Sequence, residues 1–180
     1  MRLIPLTAAT LLLTLAGTAH ADITGEIDAT ITLQPGCIIN GANTADGTTA
    51  VDFGALDFGA QTTVFAQADA EVQNTSSGIV IQCSQGITPV ISFDGGLNAG
   101  AAPTGPGSRA LALQGGTAPQ YVTYNLYADA GRSTVIANDD ALTLSADGQA
   151  QTVNVYGRAF GATGLVAGTY TDVIGVVITL

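Results

Sequence analysis

Three observations predict an all-β sandwich. The chain has 23 glycines and many Val, Ile and Thr but only 10% charged residues, a composition of strands punctuated by turns. After residue 21 no segment sustains an i, i+3, i+4, i+7 apolar stripe, whereas period-2 or solid apolar runs recur along the chain. Turn residues separate those runs at strand-like intervals.

Residues 1–21 read as a removable secretion signal: Arg2 gives a thin positive start, Leu11 to Ala16 an apolar stretch, and Ala19 and Ala21 the small residues a signal peptidase requires. The apolar stretch is too short to span a bilayer, so no membrane insertion is expected once it is removed. Removal leaves residues 22–180, a length that suits one domain with a sizeable core. The next segment, residues 22–33, alternates without interruption. Ile23, Gly25, Ile27, Ala29, Ile31 and Leu33 fall on one face, and Asp22, Thr24, Glu26, Asp28, Thr30 and Thr32 on the other. Such a strand would span roughly 40 Å, about twice the usual length.

Further strands are predicted at 79–83, 88–93, 110–113, 121–127, 151–156 and 170–180. Asn40-Gly41, Asp46-Gly47, Ser77-Gly78, Asp94-Gly95-Gly96, Gly105-Pro106-Gly107 and Asp147-Gly148 supply turns. Residues 98–108, rich in Ala, Gly and Pro, read as a surface loop within the domain. The last run is apolar on both faces. Ile174, Val176, Ile178 and Leu180 form one face, Val173, Gly175 and Val177 the other, so it is expected to need cover on both faces and along one edge.

Charge and residue types exclude much chemistry. Beyond residue 21 there is no histidine, lysine or tryptophan, and three arginines face 14 carboxylates, a formal charge of about −11. Nucleic acid and anionic membranes are poor partners for such a chain. Ser-His-Asp, Cys-His and Ser-Lys machinery is impossible, and no cofactor is expected. The Asp139-Asp140 pair adjoins Asn138 between strands, where such residues ordinarily make turns. Asn138, Asp139, Asp140 and Asp147 lack the spacing of a calcium loop. Cys37 and Cys83, an even count in an exported chain, predict a disulfide. Closing its loop stabilises the fold by about 4 kcal/mol on the chain-entropy account.

Several short motifs then line up in order. They are the N-terminal alternation ending in Pro35-Gly36-Cys37, the repeated Phe-Gly of residues 51–59, and Ile79-Val80-Ile81-Gln82-Cys83. Tyr124-Asn125-Leu126-Tyr127-Ala128-Asp129, Val155-Tyr156-Gly157-Arg158 and Gly168-Thr169-Tyr170-Thr171-Asp172 with its apolar tail follow. In these the chain resembles the spore-coat-U-like domain family, which includes major subunits of archaic, Csu-type chaperone/usher pili. One departure is the ending Ile178-Thr179-Leu180, where many such pilins carry an aromatic residue.

The resemblance implies an immunoglobulin-like β-sandwich lacking its final strand, completed by a strand from another polypeptide. It implies a single pilin domain over residues 22–180, with 22–33 as donor strand. Ile23, Gly25, Ile27, Ala29 and Ile31 would enter a neighbour, and the strand bearing Ile174, Val176, Ile178 and Leu180 would edge the acceptor groove. The division between the outer part that leaves and the inner part that stays at home is placed near Ala29. A periplasmic chaperone, an outer-membrane usher and identical or related subunits would be the partners. The location would be the periplasm in transit and then a surface pilus supporting attachment and biofilm formation. The competing reading is a secreted carbohydrate- or surface-binding module, or a spore-coat-type structural protein, with Tyr121, Tyr124, Tyr127 and Tyr156 as stacking candidates.

Overall fold

The computed structural model describes residues 22–74, 78–101 and 108–180. The expected signal, Ser77 and the Gly105-Pro106-Gly107 turn lie outside the described residues. The chain divides into a unit of residues 1–32 and a compact unit of residues 33–180. In the first unit the described residues form no strand, and Ile23, Ile27 and Ile31 are 100%, 96% and 80% exposed. An isolated strand leaves its backbone donors and acceptors to water, so the alternation of residues 22–33 specifies a face but not a home for it.

The compact unit is an antiparallel β-sandwich. Its strands are β1 (Gly36–Ile39), β2 (Ala42–Ala45), β3 (Ala55–Leu56), β4 (Gln67–Gln73), β5 (Ile79–Cys83), β6 (Val90–Phe93), β7 (Ser108–Leu113), β8 (Tyr121–Tyr127), β9 (Ala141–Thr143), β10 (Gln151–Val153), β11 (Tyr156–Phe160), β12 (Tyr170–Thr171) and β13 (Val176–Thr179). They form a four-stranded sheet β10-β5-β1-β2, a six-stranded sheet β12-β7-β8-β11-β4-β3 and a three-stranded sheet β13-β6-β9. The only other regular piece among the described residues is a single 3₁₀ turn, Ala99–Ala101, inside the expected loop.

The first hairpin follows from its turn. Ile39 pairs with Ala42, so Asn40-Gly41 is a two-residue loop, and both residues take positive φ, 51° and 86°. That combination matches the right-handed twist of the flanking strands, and Asn-Gly is the pair best suited to it. Asn40 also ties the hairpin down: its side chain accepts from the Val80 N–H at 2.9 Å and donates to the Asp52 carbonyl at 2.9 Å.

Two expected strands are each divided between sheets. Residues 151–156 begin as β10 against β5 and continue as β11 against β4 and β8. Val153, Val155, Gly157 and Ala159 are all buried, so the inward alternation runs unbroken through the change of partner. Period-2 patterning reports which face is buried and is blind to which neighbour pairs. Residues 170–180 likewise split into β12, paired with β7, and β13, paired with β6.

Inner faces of all three sheets share one apolar core. Ile79 and Ile81 of β5, Ile91 and Phe93 of β6, Val122, Tyr124 and Leu126 of β8, and Ala159 of β11 are buried in it. Each large aliphatic buried there contributes about 1.5–3 kcal/mol relative to exposure. Cys37 and Cys83 are cross-strand partners in β1 and β5 and form the expected disulfide, joining the chain across a sequence separation of 46.

Candidate functional site

A long apolar groove opens along one side of the compact unit, and a repeated tripeptide builds its first wall. Asp52-Phe53-Gly54 and Asp57-Phe58-Gly59 bracket β3. In each the aspartate accepts the N–H of the glycine two residues on, at 2.8 Å. These side-chain-capped turns hold the intervening phenylalanines half-buried against the core. Phe58 packs edge-on to Tyr124 with ring centroids 5.9 Å apart, an arrangement aromatic quadrupoles favour. Gly54 is required where it stands: its φ is +109°, and a Cβ there would lie 2.7 Å from the Gln73 carbonyl oxygen.

The opposite wall is the last strand. Ile174, Val176 and Ile178 turn toward the core and remain half-buried, while Val173 and Val177 are 63% and 58% exposed. Of its two expected faces, therefore, only one is covered. β13 pairs with β6 alone among the described strands, so its other edge presents unpaired N–H and C=O groups.

Between the walls lie three adjoining depressions. One of about 530 Å³ runs from Cys37 and Ile39 past Val51 to Ile178 and Leu180. The next, about 440 Å³, shares Val51, Phe53, Ile174 and Val176 with it and has Tyr124 and Leu126 in its lining. The third, about 470 Å³, shares Leu56, Phe58 and Leu111 with the second and ends at Leu165 and Tyr170. An apolar channel alongside an open strand edge is the geometry that accepts an added strand: the edge supplies backbone hydrogen bonds and the depressions take alternate side chains.

A polar cluster fixes the kink between β12 and β13. The Tyr124 hydroxyl donates to Asp172 Oδ2 at 2.7 Å, and Asn98 Nδ2 donates to Asp172 Oδ1 at 3.0 Å. Asp94 Oδ1 accepts the Gly175 N–H at 2.7 Å and the Gly96 N–H at 2.8 Å. Beneath them Arg109 is fully buried and donates to the carbonyls of Asp94, Phe93 and Ile136 at 2.8, 3.1 and 3.3 Å. Burial pushes the Arg109 guanidinium down, and burial followed by the Asp172 hydrogen bond pushes the Tyr124 phenol up. The lone buried cation among the core positions thus sits under the point where the chain changes sheets.

The other two arginines converge on one carboxylate. Arg158 makes a two-pronged contact with Asp69 at 2.6 and 2.8 Å, and Arg132 approaches the same group at 3.3 Å. The Arg158 hydrogen bond holds the Asp69 carboxyl below its ordinary range.

The sequence-predicted positions fall into three sets. Ile174, Val176, Ile178 and Leu180 all line the groove, and Cys37 closes one end of it. Ile23, Gly25, Ile27, Ala29 and Ile31 are exposed, and so is Leu33. Pairing within the compact unit begins at Gly36, where β1 meets β5 and β2. The four tyrosines do not form one stacking face: Tyr124 and Tyr127 are buried, Tyr156 lies under the Arg132 guanidinium, and Tyr121 is 36% exposed. Asp140 accepts the Ala137 N–H in a turn, and no cluster of metal-ligating side chains occurs among the described residues.

Phe53, Phe58, Arg109 and the Tyr124–Asp172 pair escape residue-by-residue reading. The doubled Asp-Phe-Gly in residues 51–59 is the signal that marks the first two.

A search of curated proteins found no match. Among solved structures the chain is similar to the CsuC–CsuE chaperone–tip adhesion subunit pre-assembly complex of archaic chaperone-usher Csu pili from Acinetobacter baumannii. Identity is 18% and the TM-score 0.46, over 83% of this chain and 41% of that one. The profile of the Spore Coat Protein U domain matches residues 23–177, nearly all of the chain beyond the expected signal. The chain therefore belongs to the Spore Coat Protein U domain family.

Proposed function

We propose that this chain is a non-enzymatic structural subunit of a chaperone/usher-assembled surface pilus, and that copies join when residues 22–33 of one enter the groove of the next. The observation that carries this reading is a mismatch within one molecule. The groove has an open strand edge and no occupant among the described strands, while an alternating apolar segment stands exposed at the other end of the chain. Ile23, Ile27 and Ile31 fill depressions in the neighbour, Ala29 a shallower place, and Gly25 a point of close backbone approach. Burial of the three isoleucines contributes about 5–9 kcal/mol before ordering costs.

In this account the chain is exported by its N-terminal signal, held in the periplasm by a chaperone strand in the groove, and passed to its neighbour at an outer-membrane usher. The pilus serves attachment and biofilm formation. Deleting residues 22–29 tests the joint. The deletion should abolish polymers that sediment rapidly and resist SDS without boiling, and equal polymerisation by the truncated chain would overturn the reading.

A further inference from the structure

We propose that the joint between copies is opposed by like charge, so that its formation is gated by ionic strength. This rests on the reading of residues 22–33 and the groove as the two halves of that joint. The segment carries Asp22, Glu26 and Asp28 on its polar face and no cationic side chain through Pro35; in a chain beginning at residue 22 the α-ammonium offsets Asp22 and leaves Glu26 and Asp28 uncompensated. The groove lining carries Asp46, Asp52, Asp57 and Asp172, and none of the three arginines beyond residue 21. Asp172 lies within the field of buried Arg109, which offsets it. Asp52 and Asp57 are exposed along the first wall and Asp46 is exposed in the groove lining beyond β2, while Arg132 and Arg158 are committed to Asp69 elsewhere.

An entering strand buries its apolar face in the groove and leaves its polar face at the rim, the side on which these carboxylates stand. Glu26 and Asp28 then approach Asp46, Asp52 and Asp57 across an open surface. Their repulsion acts mainly on the rate of encounter, and salt screens it over about 8 Å at physiological strength. A strand bearing cations at the same positions meets attraction instead and enters faster. The groove is thereby biased toward a cationic occupant over the chain's own segment, and joining of copies proceeds once that bias is screened or the donor is locally concentrated.

The test is the initial rate of polymerisation of the chain beginning at residue 22, read by light scattering. Raising NaCl from about 20 to about 500 mM should speed wild-type joining about tenfold. Neutral variants come next: Glu26→Gln with Asp28→Asn on the segment, and Asp46→Asn, Asp52→Asn and Asp57→Asn on the rim. Asparagine keeps the Asp52 and Asp57 turn caps. These variants should join at low salt as fast as wild type does at high salt. Glu26→Lys with Asp28→Lys should join fastest at low salt and slow as salt rises. A wild-type rate indifferent to salt, or a lysine variant no faster at low salt, overturns the proposal. Failure of the underlying joint is distinguishable, because deletion of residues 22–29 would then leave the rate unchanged.

Discussion

Arg109→Leu probes the polar floor on which the groove rests. The guanidinium is fully buried and donates to three carbonyls, at Asp94, Phe93 and Ile136. Phe93 O retains a second donor, the Asp139 N–H at 2.9 Å, and the main loss falls on Asp94 O and Ile136 O. Two charge-assisted hydrogen bonds lost in a buried setting cost about 3–6 kcal/mol. Relief from burying a charge returns part of that, leaving a net destabilisation of about 3 kcal/mol. In urea, with m of about 2 kcal/mol/M, the unfolding midpoint should fall by about 1.5 M while m is unchanged. Arg109→Lys keeps the charge but loses the planar fork, so it should fall between wild type and leucine. A leucine variant whose midpoint moves by less than about 0.3 M would refute the assignment of Arg109 as the buried tie between the end of β6 and the Ile136 carbonyl.

The disulfide should contribute about 4 kcal/mol, seen as a lower urea midpoint for Cys37→Ala with Cys83→Ala than for the oxidised chain. Gly54→Ala should destabilise by about 1–3 kcal/mol because its φ is strained for a side chain and its Cβ meets the Gln73 carbonyl. Gly59→Ala, where φ is +66° with open space around, should cost only about 1 kcal/mol, and equal effects at the two sites would contradict the wall geometry. Asp129 accepts the Thr134 and Ser133 N–H groups, which hold its carboxyl at about 2. Because this folded value lies below the unfolded one, its stabilisation is complete above about pH 4 and lost as pH falls toward about 2. Asp129→Ala should flatten that part of the acid limb in a pH series of thermal melts.

The sequence made the buried faces legible and the pairings only partly so. β5 and β8 are predicted to the residue, since Ile79, Ile81 and Cys83, and Val122, Tyr124 and Leu126, alternate inward between clear turns. β4 is missed because its buried positions are only Ala68 and Val72 in a run of Gln, Asp and Glu, too weak an apolar face to register. The divisions of 151–156 and 170–180 are invisible to periodicity because the inward face is continuous or nearly so across each break. At the site, residues 22–33 show a clear alternation, whose role as a donor is a proposal, and the apolar inward face of the last strand is legible in Ile174, Val176 and Ile178. The first wall is not, because Phe53 and Phe58 sit outside regular alternation and are aimed by aspartate-capped turns. Nothing local in the sequence marks Arg109 for burial; only long-range packing gives it three carbonyls and a buried place.

The claim that two copies join through segment and groove is tested most directly by cross-linking. A photoreactive residue at Ile27 in isotopically labelled chains, mixed with unlabelled chains before assembly, reports both the partner and the contact. The account predicts cross-links between labelled and unlabelled chains that map to the walls at Phe53, Phe58, Ile174 and Val176. Cross-links confined to single chains, or falling on surfaces away from the groove, would contradict it.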